Sequence, residues 1–179
     1  MERSDPVIRP LAAADAVEAA HLVGDVLGSR LPARLDAVID VLAVPGFGAW
    51  DDRRLVGIAT YSVDGGDAEL AALGVAKAHR GRGLAGQLID AVVAEVTARD
   101  VGRLWVVTTN DNLAALAVYQ RHGFRLVEVR PGAIDRARGV KPTIPEIGRN
   151  GIPMHDEIVL ERCLGWPSDP RLPGGTGSR

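Results

Sequence analysis

The 179-residue sequence predicts one α/β domain built on a mixed sheet with helices on both faces. Three observations predict it. Between residues 47 and 76 the strand-like runs "FGAW", "RLVGIATYSV" and "DAELAALGVA" are separated only by "DDR" and "DGGD", turns short enough for antiparallel hairpins. From residue 83 to 130 helical and strand patterns alternate. At the join stands "HRGRGLAG", residues 79–86, with three glycines and two arginines where a strand ends and a helix starts.

The elements follow in order. Val7 to Leu11 opens as a short strand. Residues 12–28 read as a helix, because Val17, Ala20, Val23 and Leu27 recur at three to four residues. Residues 32–44 read as a second helix. Pro32 stands in its first turn, where a missing N–H costs nothing, and Leu35, Val38, Ile39 and Leu42 make its apolar stripe. After the hairpin strands and the glycine turn, a helix runs from about Gly83 to Arg99, with Leu84, Leu88, Ala91, Val92 and Val96 along one face. The continuous apolar run "RLWVVTT" (103–109) marks a buried strand. Residues 111–123 form a helix closed by Gly123, with Asp111 as its expected N-cap and Leu113, Leu116 and Ala117 toward the core. Residues 124–130 are another strand. The Pro- and Gly-containing stretch 131–153 reads as a long loop with one short helix near Ile134 to Arg138, and 154–164 as the last strand. Residues 1–164 are thus expected to form a single domain, and "GWPSDPRLPGGTGSR" (165–179) has the composition of a flexible tail.

The totals narrow the function classes. A net charge of −2 gives no general basic field for nucleic acid or an anionic membrane. The one cysteine, Cys163, excludes an internal disulfide and a multi-cysteine metal site. Four histidines are scattered without ligand spacing, so no metal is expected. The first ten residues lack the apolar core of a signal peptide, and no run approaches the ~20 apolar residues that span a bilayer. The expectation is a cytoplasmic protein with no membrane or nucleic-acid partner; a homodimer is left open.

The glycine turn asks for a reason beyond packing. The first four N–H groups of a helix have no internal acceptor, carry partial positive charge and bind phosphate. Gly81, Gly83 and Gly86 leave room for a diphosphate to approach such N–H groups, and Arg80 and Arg82 add charge. No Gly-Lys-Ser/Thr follows, so a Walker A loop is excluded. The spacing Gly81, Gly83, Gly86 does match G-x-G-x-x-G, but that fingerprint belongs to a first parallel βαβ unit, and the preceding strands here look antiparallel. Further on, Asn112, Ala115 and Tyr119 fall at i, i+3 and i+7 on one face of a helix, where a half-exposed tyrosine could offer its hydroxyl to a ligand.

Together these stretches resemble the GNAT superfamily of acyl-CoA-dependent N-acetyltransferases. Val75 followed by Arg80, Gly83 and Ala85 matches the family's R-x-x-G-x-G/A signature after a strand. Asn112, Ala115, Tyr119, Gly123 and Phe124 match N-x-x-A-x-x-x-Y-x-x-x-G-F at every position. The resemblance covers Val7 to Arg130 in element order, and a subgroup is matched by "TTNDN" (108–112) and by the segment from Lys141 to Glu157.

The resemblance implies a GNAT-like, mostly antiparallel central sheet splayed at the cofactor site. It implies acetyl-CoA as cosubstrate and no metal. The pantetheine amides would pair with the backbone of Leu73, Gly74 and Val75. The N–H groups of Arg80, Gly81, Arg82, Gly83, Leu84, Ala85 and Gly86 would take the diphosphate, and Asn112 would contact the pantetheine or its neighbouring phosphate. Tyr119 would sit beside the sulfur and protonate the leaving thiolate, with the N–H of Val75 meeting the oxyanion. Glu69 matches the place of a carboxylate base, and simple strand alternation puts it on one face with Ala71, Leu73 and Val75. His155, Asp156 and Glu157 are further candidates for the base, whereas His79 is expected to face solvent. The implied activity is acetyl transfer to a primary amine of a small molecule, by direct attack in a ternary complex. The alternative is a non-catalytic acyl-CoA-binding or sensing module. Residues 131–153 are the expected acceptor wall.

Overall fold

The computed structural model describes residues 5–28, 33–34, 37–38 and 40–164. The tail expected at 165–179 lies outside the described residues. Strand β1 (Val7–Pro10) leads through a single turn into helix α1 (Ala16–Leu27). Asp15, just before α1, accepts the N–H of Ala12 and grips Arg9 through both carboxylate oxygens, at 2.8 and 3.0 Å. The helix stops at Gly28, whose φ of +75° suits the left-handed cap. Its buried stripe is Ala19, Leu22, Val23 and Val26, rotated from the expected one, and Val17 is exposed.

Among the described residues, the helix expected at 32–44 is not formed. Where it should begin, β2 (Ala33–Arg34) and β3 (Ala37–Val38) pair antiparallel as a two-stranded ribbon. A helix of that length is marginal by itself, and the β-branched Val38 favours extended backbone.

Strands β4 (Gly46–Asp51), β5 (Arg54–Asp64) and β6 (Asp67–Val75) form the predicted meander, turned at Asp52 and at Gly65, both with positive φ. Helix α2 (Leu84–Thr97), strand β7 (Arg103–Thr109), helix α3 (Leu113–Arg121) and strand β8 (Arg125–Arg130) follow as read. The short helix expected near 134–138 is α4 (Ala133–Val140), which lies beside the β2–β3 ribbon. The last strand is β9 (Glu157–Cys163). The main sheet runs β1-β4-β5-β6-β7-β9-β8, and only the β6–β7 pair is parallel.

Two apolar clusters hold helices to opposite faces. On one face Leu84, Leu88, Ile89, Val92 and Val96 of α2 pack with Leu70, Leu104, Val106 and Leu160, joined by Tyr119 of α3 and by Phe124. On the other, Leu22, Val23 and Val26 of α1 pack with Trp50, Leu55, Ile58 and Ala72. Each fully buried aliphatic side chain contributes roughly 1.5–3 kcal/mol by leaving water. Leu113, expected in the core, is 49% exposed; Leu116 turns inward as expected, joined by Ala115, Val118 and Tyr119.

Candidate active site

The sheet is interrupted where β6 should continue alongside β7. β6 pairs with β5 along its whole length, but with β7 only at Asp67↔Arg103, Ala68↔Leu104 and Glu69↔Trp105. The cause sits in the next residues. The β5–β6 register slips between Thr60 and Tyr61, which oppose Ala72 and Leu70 and leave Ala71 extra. Such a bulge bends its strand and sharpens the twist, so β6 leaves β7 directly after Glu69.

The bulge also corrects the face expected for Glu69. Ala68 and Leu70 belong to the cluster under α2, yet beyond the extra residue it is Leu73 and Val75 that turn to that cluster, and Ala72 that packs under α1. Glu69 therefore shares its face with Ala72 and Gly74, the face of α1, rather than with Leu73 and Val75. On that face it stands in line with Trp105, which is four residues along β7 from Thr109 and its β9 partner Glu157.

The parting of β6 and β7 opens a cleft of about 1290 Å³, lined from α1 on one side (Val26, Leu27) and α2 on the other (Leu84, Ala85). It thus passes through the sheet. Along its β6 wall the backbone groups alternate. Ala76 donates to Val56 at 2.8 Å, which fixes the phase of the β5–β6 ladder. In an antiparallel pair every second residue bonds across, so the N–H and C=O of Leu73 and the N–H of Val75 point into the gap. Gly74 is glycine for a packing reason, because a Cβ there would overlap Val26 of α1.

At the α2 end of the cleft the glycine turn has the geometry the phosphate argument needs. Gly81 and Gly83 stand at φ +77° and +79°, a region that L side chains avoid. Nothing lies within 4 Å of where a Cβ would stand at either. The helical ladder starts with Gln87 donating to Gly83 at 3.1 Å, so the N–H groups of Leu84, Ala85 and Gly86 have no helical acceptor. Gly86 has a different reason to be glycine. A Cβ there would overlap the ring of His122, at the end of α3, so this glycine lets α2 and α3 close together. Arg80 uses its Nε to bind the Val75 carbonyl at 3.0 Å, tying the turn to the end of β6. Arg82 is exposed and is not among the residues lining the cleft.

His79 does not face solvent as expected. Its side chain is 14% exposed, and Nε2 lies 2.9 Å from Asp51 at the end of β4. Asn112 is the N-cap of α3, makes no side-chain capping bond, and donates Nδ2 to the Thr108 hydroxyl at 3.2 Å. Its Oδ1 is buried with no hydrogen-bond partner among the described residues. Tyr119, expected on a half-exposed face, is buried at 5% exposure, lines the cleft, and packs its ring on Phe124 with centroids 5.6 Å apart.

Sequence reasoning missed how the 141–154 segment is held. Asp111 is not the helix cap. Its buried carboxylate accepts the hydroxyl of Thr109 and, at 2.7 Å, the N–H of Arg149. Gly148 allows this approach, because a Cβ there would overlap Asp111. Asn110 holds the same segment, donating to the Pro153 carbonyl at 2.8 Å and accepting from the N–H groups of His155 and Asp156. Arg138 of α4 donates to the carbonyls of Ile144, Pro145 and Met154. The segment is thereby strapped across the cleft, which Ile144, Pro145, Ile147 and Met154 wall. Glu157, buried to 2% exposure, also lines the cleft and holds the Arg130 guanidinium at 3.1 Å. Glu69 is buried but is not among the lining residues. His155 is exposed and paired with Asp135 at 3.0 Å. Among the described residues no group of three or more His, Cys, Asp or Glu could hold a metal ion, and no helix is long and apolar enough to cross a membrane.

A sheet parted beside a bulge, with uncapped helical N–H groups at one end of the opening, is the framework of the acetyltransferases that use coenzyme A thioesters. The sequence profile of the acetyltransferase (GNAT) family matches residues 27–124, and the chain belongs to that family. It is 36% identical over 120 residues to the uncharacterized protein YdhI of Bacillus subtilis (strain 168), covering 66% of this chain and 74% of that one. The fold is similar to that of an IAA acetyltransferase from Bacillus cereus ATCC 14579, at a TM-score of 0.70 and 21% identity over 89% of this chain and 99% of the other. A Bacillus subtilis acetyltransferase in complex with CoA superposes with a TM-score of 0.70 and 17% identity, over 89% of this chain and 99% of its own.

Proposed function

We propose that the protein transfers an acetyl group from acetyl-CoA to the primary amine of a small molecule, by direct attack in a ternary complex. The single observation that carries the reading is the cleft through the sheet, which joins the open β6 edge, the uncapped N–H groups of α2 and Tyr119 in one continuous space. The open positions above Gly81 and Gly83 fit a diphosphate, and the buried Oδ1 of Asn112 fits an amide donor.

Acetyl-CoA, when bound, supplies an activated thioester carbonyl; the chain's own groups do the rest. Leu73 offers a backbone donor and an acceptor to the pantetheine amides, as a strand edge does to an added strand. The N–H groups from Gly81 to Gly86 hold the diphosphate, with Arg80 beside them. The N–H of Val75 faces the developing oxyanion. Tyr119 gives its hydroxyl proton to the departing thiolate. An aliphatic amine of pKa about 10 arrives protonated at neutral pH, so a base must take one proton before attack. Glu69, at the point where the strands part and on the face of α1, is that base, through a water, and Glu157 is the competing carboxylate.

The test is coenzyme release from purified protein supplied with acetyl-CoA and a panel of small amines. Free thiol and acetylated amine formed in equal amounts support transfer. A raised melting temperature with acetyl-CoA but no thiol from any amine would instead indicate a sensing module.

A further inference from the structure

We infer that Arg149 selects the acceptor: the second substrate is a small amine that carries a carboxylate beside an apolar group. The inference rests on the transfer reading above and names the class of molecule that enters from the α1 face.

Arg149 bridges the opening in the sheet. Its backbone N–H is fixed on Asp111, directly after β7. Its guanidinium reaches the Val26 carbonyl in the last turn of α1, at 3.3 Å. Val26 in turn lies against Gly74 at the end of β6. The residue therefore spans from the β7 side of the gap to the β6 side, on the face opposite α2. A guanidinium has five N–H donors, and a helix carbonyl takes one of them.

The charge pattern is what gives the span a purpose. Arg9, Arg99, Arg103, Arg130 and Arg138 each hold a carboxylate. Among the described residues the three cleft-lining arginines, Arg80, Arg121 and Arg149, have no such partner. Arg80 adjoins the glycine turn and Arg121 ends α3 beside His122, whose ring meets Gly86, so both serve the phosphate end. Arg149 lies across the sheet from that end, so the diphosphate does not account for it. Arg149 is exposed at the rim of the cleft, and Ile144, Pro145, Ile147 and Met154 of the same strap, with Val26 and Leu27, give that cleft apolar lining. A planar cation over such a wall suits a carboxylate bound through two parallel hydrogen bonds, with an apolar side group below it.

Two matched pairs of acceptors test this on protein loaded with CoA: L-phenylalanine against 2-phenylethylamine, and L-leucine against 3-methylbutylamine. Each pair differs by a carboxylate. Calorimetry at low salt is expected to show the carboxylated member binding about tenfold tighter, with the preference shrinking at high salt. Arg149→Gln is expected to abolish the preference while the affinity for CoA stays within twofold, and Arg149→Lys to keep part of it. Equal binding of the two members by the wild-type protein, or a preference that survives in Arg149→Gln, would overturn the inference. The readout is binding, so a protein that prefers the carboxylated member yet transfers nothing would overturn the transfer reading and leave Arg149 as the group that selects a carboxylated ligand.

Discussion

Gly83→Ala separates the two demands that meet at the glycine turn. The residue stands at φ +79°, and an L side chain in the left-handed region costs roughly 1–2 kcal/mol. No atom lies within 4 Å of the new methyl, so no packing penalty adds to that strain. For a domain of this length each kcal/mol moves the melting temperature by about 2–4 °C, so scanning calorimetry should find a loss of about 2–8 °C. The strain is present with and without ligand and cancels from the binding constant. What remains in the binding constant is the methyl between the diphosphate and the N–H groups of Gly83 and Leu84. A hydrogen bond to a charged group is worth about 1.5–3 kcal/mol, so titration with CoA should show affinity reduced about ten- to a hundredfold. A variant that melts lower but binds CoA as tightly as the wild type would refute the diphosphate site.

Five other substitutions test other links. Tyr119→Phe should lower turnover by about 10²–10⁴ while acetyl-CoA affinity stays within threefold, read by single-turnover kinetics; equal turnover would exclude its hydroxyl as the acid. Glu69→Gln should slow transfer most at low pH, where few amines are neutral, and Glu157→Gln should leave the shape of the pH–rate profile unchanged; the reverse outcome would make Glu157 the base. Gly148→Ala pushes a methyl against Asp111 and Met154, an overpacking of about 1–3 kcal/mol, so the melting temperature should fall and the acceptor KM rise with no change in CoA affinity. In Asp15 the hydrogen bond from Arg9, then that from Ala12, holds the carboxyl below the usual carboxylate range. The unfolded chain binds that proton first as pH falls, so the stability Asp15 contributes is full above the ordinary carboxylate pKa and lost as pH drops through its lowered one. Urea midpoints of wild type and Asp15→Asn should therefore differ at pH 6 and converge in strong acid.

The sequence by itself determined the elements whose signal is local. The hairpins at Asp52 and Gly65, the strand at 103–109 and the helices from residues 84 and 113 declare themselves in turn residues and in periods of two and 3.6. The glycines at 81 and 83 were legible for the same reason, since a positive φ is a property of one residue. The pairing of 33–34 with 37–38 was not, because a marginal helix and a short extended pair differ in energy by less than their surroundings supply. Nor was the face of Glu69, because one extra residue at Ala71 reverses every later side chain, and a bulge is defined only against the partner strand. Asp111, Gly148 and Arg149 lie 37 and 38 residues apart in the chain and meet only through the fold. Contacts of that range leave no periodic trace. The end proposed for the coenzyme was written in the glycines, and the end proposed for the acceptor exists only where the strap crosses the parted strands.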